Sequence, residues 1–137
     1  MNESLFMLDT NMASYVIREQ DRNLDLRLQE IGVSAICIST ITEAELRFGV
    51  CNQPAATKLN ELVNSLLSRV DCLPWGSNAA RSYSELRTHA KARGLALSNM
   101  DLLIGAHSIA ASATLITNDK AFLHFSEWIE LDNWTSG

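Results

Sequence analysis

Three short apolar runs each stop at a polar step. Leu5-Phe6-Met7-Leu8 runs into Asp9, Ile36-Cys37-Ile38 into Ser39-Thr40, and Thr114-Leu115-Ile116-Thr117 into Asn118-Asp119. Runs this short, without polar alternation and rich in branched side chains, read as strands buried on both faces. The segments between them have helical spacing instead. Thr10-Asn11 leads into Tyr15, Val16 and Ile17; Leu24, Leu28 and Ile31 repeat at helical intervals; Ser39-Thr40 opens a helix to about Val50. Pro54 introduces a longer helical stripe of Leu59, Leu62, Val63, Leu66, Leu67 and Val70. A short strand is expected around Cys72-Leu73, then a helix from about Asn78 to Arg93 capped by Gly94, and a helix from Ser98 to Ala110. Trp128-Ile129-Glu130-Leu131 is expected to add a last strand. Because parallel neighbours need crossover connections, strands alternating with helices imply an α/β fold: a central, mostly parallel sheet flanked by helices. Sites in such sheets form beyond the C-terminal strand ends, where Asp9 and Asp119 both fall.

The 137 residues, 47% hydrophobic and 20% charged, show no composition break, so residues 1–137 are read as one domain. Met1-Asn2-Glu3-Ser4 lacks the basic-then-apolar layout of a leader, and the apolar stretches carry polar residues at short intervals. A soluble, cytoplasmic protein with no membrane partner is expected. Cys37, Cys51 and Cys72 have neither zinc-motif nor Cys-x-x-Cys spacing and are expected to be buried free thiols. A formal charge of −5 argues against broad electrostatic wrapping of nucleic acid but leaves room for a local basic face or a bound cation that receives phosphates. Arg81, Arg87, His89, Lys91 and Arg93 could form such a face, although exposed helices carry similar charges for solubility; we read a solvated face. Trp75, Trp128 and Trp134 are read as packing residues, and His107, among Leu103, Ile104 and Ala111, as a core histidine.

Four carboxylates remain: Asp9, Glu45, Asp101 and Asp119. Glu43 and Glu45 cannot share a helix face, since each residue advances the helix by about 100°. With Ile41 as reference, Glu45 lies about 40° away with Phe48 nearby, and Glu43 about 200° away. Glu45 is therefore assigned inward. Thr40-Ile41-Thr42-Glu43 reads as a capping box, which gives Glu43 a local role. Ser98-Asn99-Met100-Asp101 also matches a capping pattern, and Asp9 and Asp119 could each be ordinary cap residues. Taken singly, each has a structural explanation. Taken together, carboxylates brought to about 4 Å repel by about 4 kcal/mol per pair at an effective dielectric near 20, and a hard divalent cation offsets that. Mg²⁺ or Mn²⁺ would also bind a substrate phosphate and acidify an attacking water, the chemistry of phosphodiester hydrolysis. Scattered caps and a metal site both remain open on spacing alone.

Phe6-Met7-Leu8-Asp9-Thr10-Asn11, then Ile38-Ser39-Thr40-Ile41-Thr42-Glu43-Ala44-Glu45-Leu46 with Phe48-Gly49, resembles the PIN-domain toxins of the VapC family. Met100 to His107 and Ala113 to Asp119 resemble that family's third and fourth acidic motifs. The resemblance implies a PIN-like fold and an acidic pocket of Asp9, Glu45, Asp101 and Asp119. Within it, Asp9 and Asp101 would be the principal Mg²⁺ (or Mn²⁺) ligands, with Asn11 and Thr117 as pocket support. It further implies a toxin endoribonuclease acting on structured RNA such as tRNA, a VapB-type antitoxin, and a homodimer. The ending from Trp128 to Trp134 resembles the enterobacterial-type members and points to initiator tRNA. Where relatives often have a proline before the third acidic residue, this chain has Ser98-Asn99-Met100.

Two other functions compete. A phosphatase using Asp9 as covalent nucleophile would need a second carboxylate two residues on, where Asn11 stands. A PIN-like interaction module with little or no turnover would not need all four acidic positions.

Overall fold

The two strands that begin and nearly end the chain lie side by side at the centre of the sheet. The computed structural model describes residues 4–136; Met1, Asn2 and Glu3, read above for a leader, lie outside them. Strands β1 (Phe6–Leu8), β2 (Ile36–Ser39), β3 (Asp71–Leu73), β4 (Thr114–Ile116) and β5 (Leu131–Asp132) form one sheet in the order β3-β2-β1-β4-β5. Every pairing is parallel, with Met7 opposite both Cys37 and Leu115. The chain moves outward from β1 through β2 to β3 and then returns to place β4 on the other side of β1. This reversal opens a crevice above the β1 and β4 ends, where ligands bind in open parallel sheets.

Alternation along the strands divides the core in two. Leu8, Ile36, Ile38 and Ile116 face one layer with Met12, Leu24, Val63 and Leu66, supplied by helices α1 (Thr10–Arg18), α2 (Arg22–Ile31) and α4 (Thr57–Arg69). Met7, Cys37 and Leu115 face the other with Leu86, Ala90, Ile104 and Phe122, supplied by α5 (Ser77–Arg93), α6 (Asn99–Ala110) and a 3₁₀ segment over Lys120–Phe125. Helix α3 (Thr40–Cys51) follows β2 directly. On α6, Gly105 allows close packing, because a Cβ there would stand 2.8 Å from Ile129 Cδ1.

Several expectations change. The last strand is Leu131–Asp132, and Trp128 precedes it. Helix α4 begins at Thr57, three residues after Pro54. All three cysteines are free; Cys37 is buried and Cys72 half-buried, but Cys51, at the last position of α3, is exposed. The capping box of α3 does not form. Ser39 is the cap, its Oγ accepting from the Ile41 amide, and Glu43 instead receives Arg47 and the Cys72 thiol. Phe48 is 68% exposed, so the inward face assigned to α3 was rotated: its buried residues are Thr42 and Leu46. Trp134 is buried against Phe6, and Trp75 donates its indole N–H to the Leu103 carbonyl. No described helix is long and apolar enough to cross a membrane.

Candidate active site

Asp9 is the first residue past β1 and the cap of α1. Its Oδ1 accepts the Met12 amide at 2.8 Å, which fixes the carboxyl at the crevice. It is only 3% exposed, and burial pushes its pKa from the ordinary 3.8 up to about 6. Hydrogen bonds from Thr117 and Met12 work against that rise, while the charges of Asp101 and Asp119 add to it. Thr117, one residue past β4, thus touches Asp9 directly, and its Oγ also receives the Asp119 amide at 3.1 Å.

Asp101 sits in the first turn of α6, where its amide donates to Oγ of the cap Ser98 at 3.1 Å. Its carboxyl is raised above the usual carboxylate range, first by burial and further by the charges of Asp119 and Glu45, while a hydrogen bond from the Ser98 side chain works against the rise. Asp119 caps the 3₁₀ segment through the Ala121 amide. Glu45 lies beside the buried face of α3. Its Oε1 takes a 2.5 Å hydrogen bond from Thr10 Oγ, which lies 3.2 Å from the hydroxyl of the fully buried Thr42. At the mouth, the Asn11 amide donates to Asn118 Oδ1 at 3.1 Å and ties the first turn of α1 to the loop after β4.

The four carboxylates meet at one cleft. Three of them are indeed caps or first-turn residues, and all four line one open cleft of about 510 Å³ with Thr10, Asn11, Ser14 and Asn118. No lysine or arginine lines it, and among the described residues none of the four makes an ion pair. Thr10, Ser14, Thr42 and Asn118 were not singled out from the sequence. Asn118 could have been, since it stands between Thr117 and Asp119. The Thr10–Thr42 contact spans 32 residues and leaves no local signal.

Among the described residues, no three His, Cys, Asp or Glu side chains converge closely enough to enclose an ion by themselves. The donor set is nevertheless all oxygen and excess negative charge, which suits a hard cation. Mg²⁺ characteristically binds through one or two carboxylates and completes its shell with water and substrate phosphate. The residues present fit that mode. His107 stands outside the cleft, buried, with Nδ1 2.7 Å from Ser39 Oγ and a hydrogen bond to the Pro74 backbone; burial lowers its pKa.

The PIN domain family matches residues 6–127. Ribonuclease VapC2 of Rickettsia felis is 36% identical over 95% of this chain and 98% of its own length. The tRNA(fMet)-specific endonuclease VapC of Salmonella typhimurium is 26% identical over 94% of this chain and 97% of its own. The crystal structure of VapBC2 from Rickettsia felis, bound to a DNA fragment from the promoter, shares this fold with a TM-score of 0.86 at 33% identity. That likeness covers 95% of this chain and 98% of the other. The sheet order, the carboxylate-lined crevice and these likenesses agree: the chain belongs to the PIN-domain family and, within it, to the VapC ribonucleases.

Proposed function

We propose that this protein is the toxin of a type II toxin–antitoxin pair, a Mg²⁺- or Mn²⁺-dependent endoribonuclease that hydrolyses structured RNA in the cytoplasm. tRNA is the leading substrate, and initiator tRNA within it. The observation that carries the reading is the cleft itself: four carboxylates from four separate chain segments, one of them held at about 6, with no basic side chain to balance them. The name of the Salmonella relative supports tRNA, and solved VapBC complexes from Rickettsia and Salmonella support a VapB-type antitoxin partner. A toxin homodimer completes the reading.

Asp9 and Asp101 are the principal metal ligands in this account, and Glu45 and Asp119 complete the negative site. When bound, the divalent cation supplies charge neutralisation at the scissile phosphate and a lowered pKa for the attacking water. The chain's own part is orientation. Asp9 has one oxygen occupied by the Met12 amide and is steadied by Thr117, so its free lone pairs face the cleft in one direction. Thr10 holds Glu45 in the same way, and the Asn11–Asn118 bond keeps the start of α1 and the loop after β4 at a fixed spacing. Such fixed placement is what phosphoryl chemistry asks of the protein, since little covalent work falls to it.

Purified, antitoxin-free protein incubated with total tRNA and Mg²⁺ or Mn²⁺ should give discrete new RNA ends. EDTA and the Asp101→Asn variant should abolish them, with the helicity of the variant retained. Metal-replete, folded protein that leaves tRNA and other structured RNAs intact would instead support the interaction-module reading.

A further inference from the structure

An open groove of about 620 Å³ runs beside α5, a channel whose chemistry is opposite to that of the carboxylate cleft. Tyr83, Ser84, Arg87, Thr88 and Lys91 line it over a floor that includes Leu95 and Leu102. No acidic residue lines it, in a chain with 16 Asp and Glu against 11 Lys and Arg. Its polar side chains are hydroxyls and two cations.

Arg87 and Lys91 are one helical turn apart, so both project along the same side of α5. Arg87 is held in place by a neutral partner: its guanidinium lies 5.9 Å from the Tyr83 ring centre, and Nη1 donates to the Tyr83 hydroxyl at 3.0 Å. Among the described residues, neither Arg87 nor Lys91 makes an ion pair, whereas Arg93, on the same helix, is taken up by Glu127. The two cations thus stay available for an external anion.

The channel also meets the catalytic region. Tyr83 donates its hydroxyl to Asn99 Oδ1 at 2.6 Å, and Asn99 is the first residue of α6. In the next residues of that turn, Asp101 lines the cleft and Leu102 lines the channel. Neighbouring residues of one helical turn therefore border the two sites, and a strand lying across the tip of α6 would enter both.

We propose that this channel is a backbone-binding subsite for the RNA substrate, with Arg87 and Lys91 each neutralising a phosphate next to the cleaved region and Tyr83 holding Arg87 in position. This deepens the assignment of the cleft as a ribonuclease site and rests on it. An acidic peptide segment of an antitoxin would suit the same cations, but the shared α6 tip favours the polymer that must reach Asp101.

The test uses full-length, antitoxin-free protein carrying Asp101→Asn to prevent turnover, fluorescein-labelled total tRNA, EDTA and a salt series. Neutralising two phosphate contacts less should flatten the slope of log affinity against log salt by about 1.4 for a single-stranded contact region and up to about 1.8 for a duplex. Arg87→Gln/Lys91→Gln should show that change and weaker binding across RNA sequences, and Tyr83→Phe a smaller loss. In the Asp101 background restored to wild type, the double variant should cleave with a raised KM. If the double variant does not fold, Lys91→Gln alone should flatten the slope by about half as much.

An unchanged slope and unchanged KM, with metal-dependent cleavage intact, would overturn the channel and leave the ribonuclease reading standing. Unchanged RNA binding with lost affinity for an acidic peptide or antitoxin would overturn it in favour of that partner. A flattened slope in a protein that cleaves no RNA would sustain the channel while the nuclease reading fails.

Discussion

The burial of Asp9 should make the folded protein unstable in proportion to the ionisation of one carboxyl. Holding that group at about 6 instead of 3.8 penalises its charged form by about 3 kcal/mol in the fold. The folded state binds more protons than the unfolded chain between those values, so this contribution to stability is full below about pH 4, declines as pH rises to about 6, and stays lost above it. Asp9→Asn removes the ionisation while keeping an oxygen that can accept the Met12 amide. Its amide group is less suited to the Thr117 hydroxyl, which offsets roughly 1 kcal/mol. In EDTA at pH 7 the variant should therefore be more stable than the parent by about 2 kcal/mol, a rise in Tm of roughly 8 °C for a chain of this size. Urea titrations at pH 4 and pH 7, each in EDTA, measure it directly. The advantage should vanish at pH 4. A variant that is less stable at pH 7, or whose advantage is the same at both pH values, would refute the claim that burial and neighbouring charge set the state of Asp9.

Thr10→Val removes the donor to Glu45 and leaves Thr42 without its hydroxyl neighbour, which should cost about 1–2 kcal/mol in thermal unfolding. RNA cleavage should fall with it, and Thr10→Ser should restore both. Ser98→Ala deletes the cap of α6 and should lower stability by about 1 kcal/mol while weakening RNA cleavage through looser placement of Asp101. At Gly105, alanine adds about 1 kcal/mol of helix propensity against a 2.8 Å contact with the movable tip of Ile129, so its Tm should change by only a few degrees. Gly105→Val should lose about 1–3 kcal/mol, because the extra methyl groups meet Phe122 and Leu86 as well.

The central strands were legible because each is buried on both sides and therefore written in consecutive apolar residues. Met7 and Leu8, or Cys37 and Ile38, lie in opposite layers, yet both are apolar for the same reason. The edge strand Leu131–Asp132 lacked that signature, being two residues long with an exposed aspartate, and Trp128 and Ile129 imitated a strand while serving the core beside a 3₁₀ turn. On α3 the error came from the reference direction. Ile41 is only half-buried, and the true inward face passes through Thr42 and Leu46, roughly 100° further round the helix. That rotation exposes Phe48 and puts Glu45 on the flank, the correct place for a carboxylate that must meet a solvent-open cleft. Glu43 was misread because a capping box and an Arg47 pair place the same residue in the same turn; Ser39, one residue earlier, had already met the need for a cap. The acidic positions could be read from strand ends and helix starts. Asn11 and Thr117 were named only through the family resemblance, and the partners they meet leave no local signal, since hydrogen bonds such as Asn11–Asn118 depend on tertiary approach across 107 residues.

The distribution of charge leads to a last consequence for how RNA reaches the cleft. A phosphate entering it approaches four carboxylates with no lysine or arginine on the walls, so in the absence of a divalent cation the cleft opposes the substrate it serves. A single carboxylate about 7 Å from a phosphate costs roughly 0.5 kcal/mol even at the dielectric of water. Replacing Asp101 by Asn should therefore strengthen RNA binding in EDTA by about twofold, although the same change should abolish cleavage. In Mg²⁺ the order should reverse, because the parent gains more from the cation than a variant with one fewer carboxylate. Fluorescence anisotropy with labelled tRNA, at one fixed ionic strength with EDTA or Mg²⁺, separates the two states. Equal affinities of parent and variant in EDTA would mean that bound RNA does not bring a phosphate near Asp101. The reaction site would then have to be sought away from this cleft, even if the α5 channel still held the strand.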